Sequence, residues 1–238
     1  MYQFESRIRY SELSEDGLLA VPKIVDYFQD CSTFQSEDIG VGLEYLTNQG
    51  IAWILSFWQI QILRRPGLNE KVTIGTFPYE FKGFLGMRNF LMKDEQGRML
   101  MQANSIWSLL ETTRFRPVKV NPEMIARYPM EERLPMEYAP RKLVMAEGGQ
   151  RLEPLRVTPD YQDTNHHVNN ARYVTIAMNA LELMGEKPGI TELRIEYKGQ
   201  AHTGDLIVPV VLKTEAGWQV RLEDEQGSML IGMHILCS

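Results

Sequence analysis

The sequence predicts an α+β protein made of two repeats, in each of which one long helix packs against an antiparallel β-sheet. Three observations support this class. The turn sequence Asp-Glu-Gln-Gly occurs twice, at 94–97 and 224–227; a stretch with a helical apolar stripe lies upstream of each turn; and β-rich segments separate each helix from its turn. Since a sheet with one apolar face must bury that face, a helix laid across it completes each unit.

Each Asp-Glu-Gln-Gly sequence joins two β-rich runs. The first hairpin is predicted within 88-RNFLMKDEQGRMLMQANSIWSLL-110 and the second within 220-VRLEDEQGSMLIGMHILC-237. Gly97 and Gly227 end the two turns, where glycine can adopt the left-handed conformation that closes a hairpin. One such turn is ordinary, but two in matching surroundings indicate an internal duplication.

The two helices are predicted from apolar residues that recur every three or four positions. The first helix follows Asp16, has Pro22 in its first turn and carries a stripe of Val21, Ile24, Val25 and Phe28. The second begins near Val168, stops at Gly185 and carries a stripe of Val174, Ala177, Met178, Leu181 and Met184. The first repeat is longer, and its extra residues fit between helix and strand, around 32–50.

The strands expected after each helix are 51–63 and 72–77 in the first repeat, and 193–198 and 206–214 in the second. We therefore expect an N-terminal repeat at 1–113, a proline-rich and charged linker at 114–145, and a C-terminal repeat at 146–238. Within the linker, 121-NPEMIARY-128 predicts a short helix with Asn121 as its N-cap and Pro122 behind it.

The composition excludes several classes of function. The net charge of −6 argues against nonspecific nucleic-acid binding, and no apolar run approaches the length of a membrane span. The start of the chain lacks the apolar region of a signal peptide, and Cys31 and Cys237 show no metal-ligand or redox spacing. We expect a cytoplasmic protein without a metal or other cofactor, either a monomer or a homodimer.

The most polar helix start in the chain is 163-DTNHHVNNARY-173, which holds two of the four histidines. Aligning Asp16 with Asp163 places Leu18 opposite Asn165 and Ala20 opposite His167. Asp163, Thr164 and Asn165 could serve as capping residues alone, since all three types favour that position. A cap does not require a histidine, however, and the first repeat begins its helix without one, so the pattern favours chemistry.

Tandem helix-on-sheet units with D-x-N-x-H and N-N-x-x-Y at the second helix start resemble the acyl-ACP thioesterase family of plant plastids and bacteria. The phrase 114-RFRPVKV-120 is similar to the segment between that family's domains. The resemblance implies a double hotdog fold and hydrolysis of fatty acyl-acyl carrier protein (ACP). One departure concerns a strand that reads Glu-Tyr-Arg-Arg-Glu-Cys in the plant enzymes and 196-EYKGQA-201 here. Gln200 and Ala201 leave this strand without the later carboxylate or the thiol.

Thioester hydrolysis has two demands, an aimed water and a stabilised oxyanion, because a thiolate leaves readily. His167 is the candidate base, since its ordinary pKa lies near neutrality. Asn165 is expected to position the water through its amide oxygen or to hold a substrate oxygen through its NH2 group. Asp163 is expected to orient Asn165 or nearby backbone N–H groups, and Gln200 to orient the same water. The backbone N–H of Val168, at the helix start, is the candidate oxyanion donor.

The first repeat is expected to supply apolar walls for the acyl chain, with five candidates: Val25, Phe28, Phe34, Trp53 and Phe57. ACP is acidic, so its docking face should be basic. Seven residues are candidates for that face: Arg64, Arg65, Lys82, Arg88, Arg114, Arg116 and Lys119. His166, His202 and His234 are expected to be bystanders, structural or at the surface.

Three other functions are compatible with parts of the pattern. An acyl-CoA thioesterase would use the same residues. A hotdog dehydratase acting on 3-hydroxyacyl-ACP needs a histidine paired with a carboxylate across repeats, and the first repeat lacks histidine. A non-catalytic acyl-binding sensor would have no use for Asn165 and His167 beside a helix N-terminus. Hydrolysis of acyl-ACP remains the favoured interpretation.

Overall fold

The computed structural model describes residues 1–163 and 167–237. The chain divides into two compact units, Met1–Tyr138 and Ala139–Ser238. Each unit contains one long helix and one antiparallel sheet, which confirms the predicted fold class. The proline-rich segment from 114 to 138 lies in the first unit, where Val120, Met124 and Tyr128 pack against Val41 and Leu109.

The first unit has five strands in the order β1-β3-β4-β5-β2, and every neighbouring pair is antiparallel. Its strands are β1 Tyr2–Arg7, β2 Ile51–Ile62, β3 Lys71–Lys82, β4 Leu85–Asp94 and β5 Met99–Glu111. Its helices are α1 Val21–Asp38, α2 Leu43–Asn48 and α3 Pro122–Arg127. The side of α1 that bears Ile24, Val25 and Phe28 is fully buried, as its apolar stripe predicts.

The second unit repeats this plan with the order β8-β11-β10-β9-β6, and the short strand β7 also pairs with β9. Its strands are β6 Gln150–Arg151, β7 Leu155–Arg156, β8 Ile190–Tyr197, β9 Leu206–Thr214, β10 Gly217–Glu223 and β11 Met229–Cys237. Its helix is α4 Asn170–Leu183, and Val174, Ala177 and Leu181 are buried on it.

The two predicted hairpins are confirmed, and their turns are built in the same way. Gly97 and Gly227 have φ of +76° and +81°, the left-handed conformation that favours glycine. In the first turn the Asp94 carboxylate accepts hydrogen bonds from the backbone N–H of residues 96 and 98, and in the second Asp224 accepts from 226 and 228. The repeated Asp-Glu-Gln-Gly therefore encodes one turn used twice.

The helix starts differ slightly from those expected. α4 begins at Asn170 with Asn169 as its N-cap, so the start is two residues later than Val168. The Asn169 side chain accepts a hydrogen bond from the N–H of Ala171, which satisfies one of the free donors of the first turn. The short helix α3 is confirmed, with the Asn121 side chain accepting from the N–H of Glu123.

The extra residues of the first repeat extend α1 and form α2, where the sequence placed them. None of the helices in the described parts of the chain has the length and apolar character needed to cross a bilayer.

Candidate active site

The segment before α4 is held by reciprocal hydrogen bonds between Asp163 and His167. The N–H of Asp163 donates to the carbonyl of His167 at 2.8 Å, and the N–H of His167 donates to Asp163 Oδ1 at 3.3 Å. Asp163 therefore contacts a local backbone N–H group, one of the roles expected for it. Asn165 and His166 lie outside the described residues.

The oxyanion role expected for Val168 is not compatible with its hydrogen bonding. The N–H of Val168 donates to the carbonyl of Ala201 at 3.1 Å. The sequence suggested a free N–H because it placed Val168 in the first turn of the helix. The structure instead pairs Val168 with the chain that follows β8, so this donor is already used.

The end of β8 forms the other side of the site. His202 lies beside His167, with ring centroids 5.0 Å apart in an edge-to-face arrangement. Sequence reasoning took His202 for a bystander because nothing in its local sequence signals a contact with His167. Gln200, two residues earlier, has an exposed side chain at the same strand end.

Tyr173 of α4 ties this strand end to the helix. Its hydroxyl accepts a hydrogen bond from the N–H of Ala201 at 2.8 Å, deep in the core. Burial raises the pKa of Tyr173 to about 12, so the hydroxyl keeps its proton at neutral pH. The motif N-N-x-x-Y therefore supplies a helix cap in Asn169 and an anchor for residues 200–202 in Tyr173.

The first unit contains the same backbone arrangement around its own helix start. The N-cap residues Ala20 and Asn169 each donate an N–H to the last residue of a short 3₁₀ helix, Glu12 and Tyr161, at 2.8 and 2.9 Å. In the loop before each helix a second pair of hydrogen bonds corresponds. The N–H of Ser14 donates to the carbonyl of Leu18 at 2.9 Å, just as the N–H of Asp163 donates to the carbonyl of His167.

These contacts correct the alignment made from the sequence. Ser14, not Asp16, is the structural counterpart of Asp163, and Leu18, not Ala20, is the counterpart of His167. Asp16 then falls, by chain count, at the position of Asn165. The first unit is thus less apolar at this point than expected, but it has no histidine there. The sequence alignment paired Asp16 with Asp163 because the residues are identical, but Ser14 and Asp16 can each begin a turn. In the structure, Ser14 Oγ and the N–H of Leu18 both donate to Asp16 Oδ1.

The strand ends correspond in the same way. The N–H groups of Leu63 and Arg64 both donate to the carbonyl of Leu100, and those of residues 198 and 199 both donate to that of residue 230. Arg65 is therefore the counterpart of Gln200. The Arg65 guanidinium forms an ion pair with Asp16 and donates to Ser14 Oγ at 3.0 Å. In the first unit, the position that corresponds to Gln200 is therefore filled by an internal ion pair.

The five acyl-binding candidates do not all share one surface. Val25 and Phe28 are fully buried on α1, and the Phe28 ring packs against Trp58 and Phe90 of the sheet. Phe57 precedes Trp58 in β2 and points to the opposite face, because successive strand side chains alternate.

The other two acyl-binding candidates are Trp53 and Phe34. Trp53 is on the α1-facing side of β2 and its ring lies 6.1 Å from that of Phe81. Phe34 is 45% exposed, with its ring against Phe4.

Three of the seven docking candidates are accounted for within the first unit. Arg64 makes two hydrogen bonds to the Glu70 carboxylate, and Arg65 is paired as described above. Arg88 was expected on a basic surface, which is wrong. It is buried on the α1-facing side of β4, where it donates to Gln35 Oε1 and lies over the Phe90 ring.

The remaining candidates are exposed. Lys82 lies at the end of β3, and Arg114, Arg116 and Lys119 lie on or just after the loop that follows β5. This loop is closed by a hydrogen bond from the N–H of Glu111 to the carbonyl of Arg116. No ion pair joins Arg114, Arg116 or Lys119 to another residue in the described ranges.

The described residues contain no group of three or more His, Cys, Asp or Glu side chains arranged to hold a metal ion. Both cysteines are free thiols. Cys31 is fully buried, and burial raises the pKa of its thiol to about 12, which suits a packing role.

Comparison with known families identifies a match to the first half of the chain. The model described as the acyl-ACP thioesterase N-terminal domain matches residues 1–128, more than half of the chain. Comparison with the curated proteins finds no match.

Comparison with solved structures gives matches along the whole chain. The chain is similar to the crystal structure of an acyl-ACP thioesterase from Bacteroides thetaiotaomicron, with 20% identity, coverage of 99% of this chain and 97% of that one, and a TM-score of 0.89. It is also similar to a 12:0-ACP thioesterase from Umbellularia californica, with 17% identity, coverage of 100% and 98%, and a TM-score of 0.85. These likenesses confirm the tandem hotdog fold.

Proposed function

Because the chain belongs to the acyl-ACP thioesterase family and hydrolyses the thioester of fatty acyl-ACP, we propose that its second unit carries the reaction on Asp163, Asn165, His167 and Gln200. The observation that carries this assignment is the difference between the two units. Both have the same backbone arrangement at the helix start and the strand end, but histidine occurs there only in the second unit. In the first unit, Leu18 occupies the position that corresponds to His167. Arg65, which pairs with Asp16, occupies the position that corresponds to Gln200.

The proposed reaction is attack of a water on the thioester carbonyl carbon. His167 takes a proton from the water as its oxygen bonds to that carbon. The carbon–sulfur bond then breaks, and the carrier leaves as a thiolate. Asn165 positions the water, and Asp163 holds the backbone of His167. Gln200 orients the same water but cannot accept its proton, since an amide is not a base at neutral pH.

Oxyanion stabilisation requires a donor other than the N–H of Val168. The Asn165 side-chain amide can donate to a substrate oxygen, which gives this residue a second possible contact besides the water. The site also lies directly before the N-terminus of α4, whose dipole favours negative charge. Both contributions act on charge that develops at the carbonyl oxygen during attack.

The N-terminal repeat, 1–113, is proposed to bind the acyl chain, with 114–145 as the segment that leads to the C-terminal repeat, 146–238. Val25 and Phe28 on α1 and Trp53 on β2 belong to the α1-facing side of the sheet and are the retained wall candidates. Each buried methylene contributes about 0.8 kcal/mol, so such a wall supports tight binding. One methylene distinguishes substrates only about 10–200-fold, so the preference for chain length should be broad.

ACP is proposed to dock on the exposed basic cluster of Arg114, Arg116 and Lys119. Arg114, Arg116 and Lys119 form no ion pair with another described residue, so their charges are available to an acidic partner. Replacing Arg114 and Arg116 by Glu should raise KM for acyl-ACP without changing kinetics on a short acyl-pantetheine. Arg7→Glu, at another exposed arginine, is the control for the change in charge. Raised salt should likewise raise the KM of the wild-type enzyme for acyl-ACP.

The test of the site is turnover on acyl-ACP by single variants. His167→Ala and Asn165→Ala should each reduce kcat by about 10²-fold or more while the protein stays folded. His166→Ala is the matched control, because this neighbouring histidine is assigned no role. Wild-type turnover in His167→Ala, or an equal loss in His166→Ala, would overturn the assignment.

A second pair of measurements tests Gln200 and the carrier. Gln200→Glu restores the carboxylate found in the plant enzymes, and a gain in rate would place position 200 in the catalytic network. Matched acyl-ACP and acyl-CoA substrates of equal chain length then report carrier selectivity. Higher kcat/KM with acyl-ACP is expected, and a strong preference for CoA contradicts the docking proposal.

A further inference from the structure

We propose that His202, supported by Asp205, is a positioning residue for His167, an inference that rests on the proposed function of this site. The two imidazole rings lie edge to face with centroids 5.0 Å apart. His202 begins the turn 202–205 that follows β8, and His167 lies three residues before α4, so the contact joins two separate segments of the second unit.

The turn itself does not require a histidine. In the first unit, the counterpart of this turn runs from Gly67 to Glu70. The N–H of Gly67 donates to the Glu70 carboxylate at 2.7 Å, as the N–H of His202 donates to the Asp205 carboxylate at 2.8 Å. The same turn thus forms with glycine at its first position, and the histidine serves another purpose.

The two units differ at both positions of this contact. In the first unit, Leu18 forms a β-bridge with Gly67, so these two positions are neighbours there as well. In the second unit, the same two positions hold His167 and His202. An apolar residue beside a glycine is therefore replaced by two imidazoles, and only in the unit that carries the proposed catalytic residues.

The contact restricts the His167 side chain. The edge of the His202 ring limits rotation of the His167 imidazole, which keeps a base aimed at its water. His202 is itself held at the start of its turn, where its N–H donates to the Asp205 carboxylate at 2.8 Å and Asp205 Oδ2 lies 3.6 Å from its Nδ1.

His202 and Asp205 lie next to the two residues that depart from the family pattern. Gln200 and Ala201 remove the carboxylate and the thiol from the strand end. His202 follows directly, and with Asp205 it returns an imidazole and a carboxylate to the same edge. The pair orients His167 without contacting the substrate.

The test uses His202→Gly, since Gly67 shows that the turn accepts glycine. The variant should lower kcat about 10-fold with KM unchanged. NMR relaxation of the His167 ring in the intact protein should show a more mobile side chain, because the ring that restricts it is removed. Gly67→His places the same side chain in the first unit's turn as the matched control and should change neither quantity.

His202→Asn, which keeps a turn-forming side chain, is measured alongside with the same expected changes. Unchanged kcat and unchanged His167 ring mobility in a folded His202 variant would overturn the inference while leaving the proposed function intact. Absence of turnover in the wild-type protein would instead overturn the proposed function, and the NMR relaxation would still decide whether His202 acts on His167.

Discussion

Tyr173→Phe tests how the strand end of the site is held. The substitution removes the hydroxyl that accepts the N–H of Ala201 and leaves the rest of a fully buried ring in place. A buried donor without its acceptor costs about 1–3 kcal/mol. The loss should lower the melting temperature by about 2–4 °C for each kcal/mol in a chain of this size.

The first unit explains why this hydrogen bond exists. The counterpart of Ala201 is Pro66, whose carbonyl accepts an N–H from Leu19 as that of Ala201 does from Val168. Proline has no N–H to satisfy, and the counterpart of Tyr173 is the fully buried, apolar Ile24. Each unit therefore pairs its strand-end residue with a helix residue that matches its hydrogen-bonding need.

This relation supplies a double-mutant cycle. Ala201→Pro removes the donor, and Pro66 shows that the backbone accepts proline at the corresponding place. In that background, Tyr173→Phe should cost less than about 0.5 kcal/mol, because no donor is left unpaired. Urea denaturation of the four proteins measures the coupling, and turnover by Tyr173→Phe reports whether residues 200–202 have moved.

Equal costs of Tyr173→Phe in both backgrounds would refute the reasoning, since the loss would then come from packing. So would a change below about 0.3 kcal/mol in the wild-type background, which would mean that the N–H of Ala201 finds another acceptor without cost.

Three further predictions concern the turns, the thiols and alkaline pH. Gly97→Ala and Gly227→Ala should each destabilise the protein by about 1–2 kcal/mol and by similar amounts, because both glycines are left-handed and an added Cβ meets no neighbour. Urea denaturation measures the two losses of stability, and clearly unequal values would contradict the shared turn. Thiol labelling at neutral pH should modify Cys237 in the native protein and Cys31 only after unfolding, since Cys31 is fully buried with a raised pKa, and rapid labelling of both would be inconsistent with this core. Burial raises the pKa of Tyr173 above its unfolded value to about 12, so its contribution to stability is complete below pH 10 and is lost as pH rises toward 12. Over this pH range, the free energy of unfolding should therefore fall less steeply in Tyr173→Phe than in wild type.

Much of the architecture could be predicted from the sequence because it depends on local patterns. The left-handed glycines, the Asn121 cap of α3 and the apolar stripe of α1 each arise within a few residues, and all are present in the structure. The stripe predicted for α4 is present in part, because Val174, Ala177 and Leu181 are buried, whereas Met178 is half-buried and Met184 lies past the end of the helix. The concentration of Asn and His before α4 could be read in the same way, since the competing explanation, a helix cap, has known residue preferences.

Tertiary structure decided the features that depend on residues far apart in the chain. The pairing of Val168 with Ala201 occupied the N–H assigned to the oxyanion, and the same approach brought His202 beside His167. Arg88 is buried because β4 turns its side chain toward α1, although charge alone suggested a surface residue. A sequence motif specifies which groups are available, whereas the partners of each group follow from which strand end packs against which helix start.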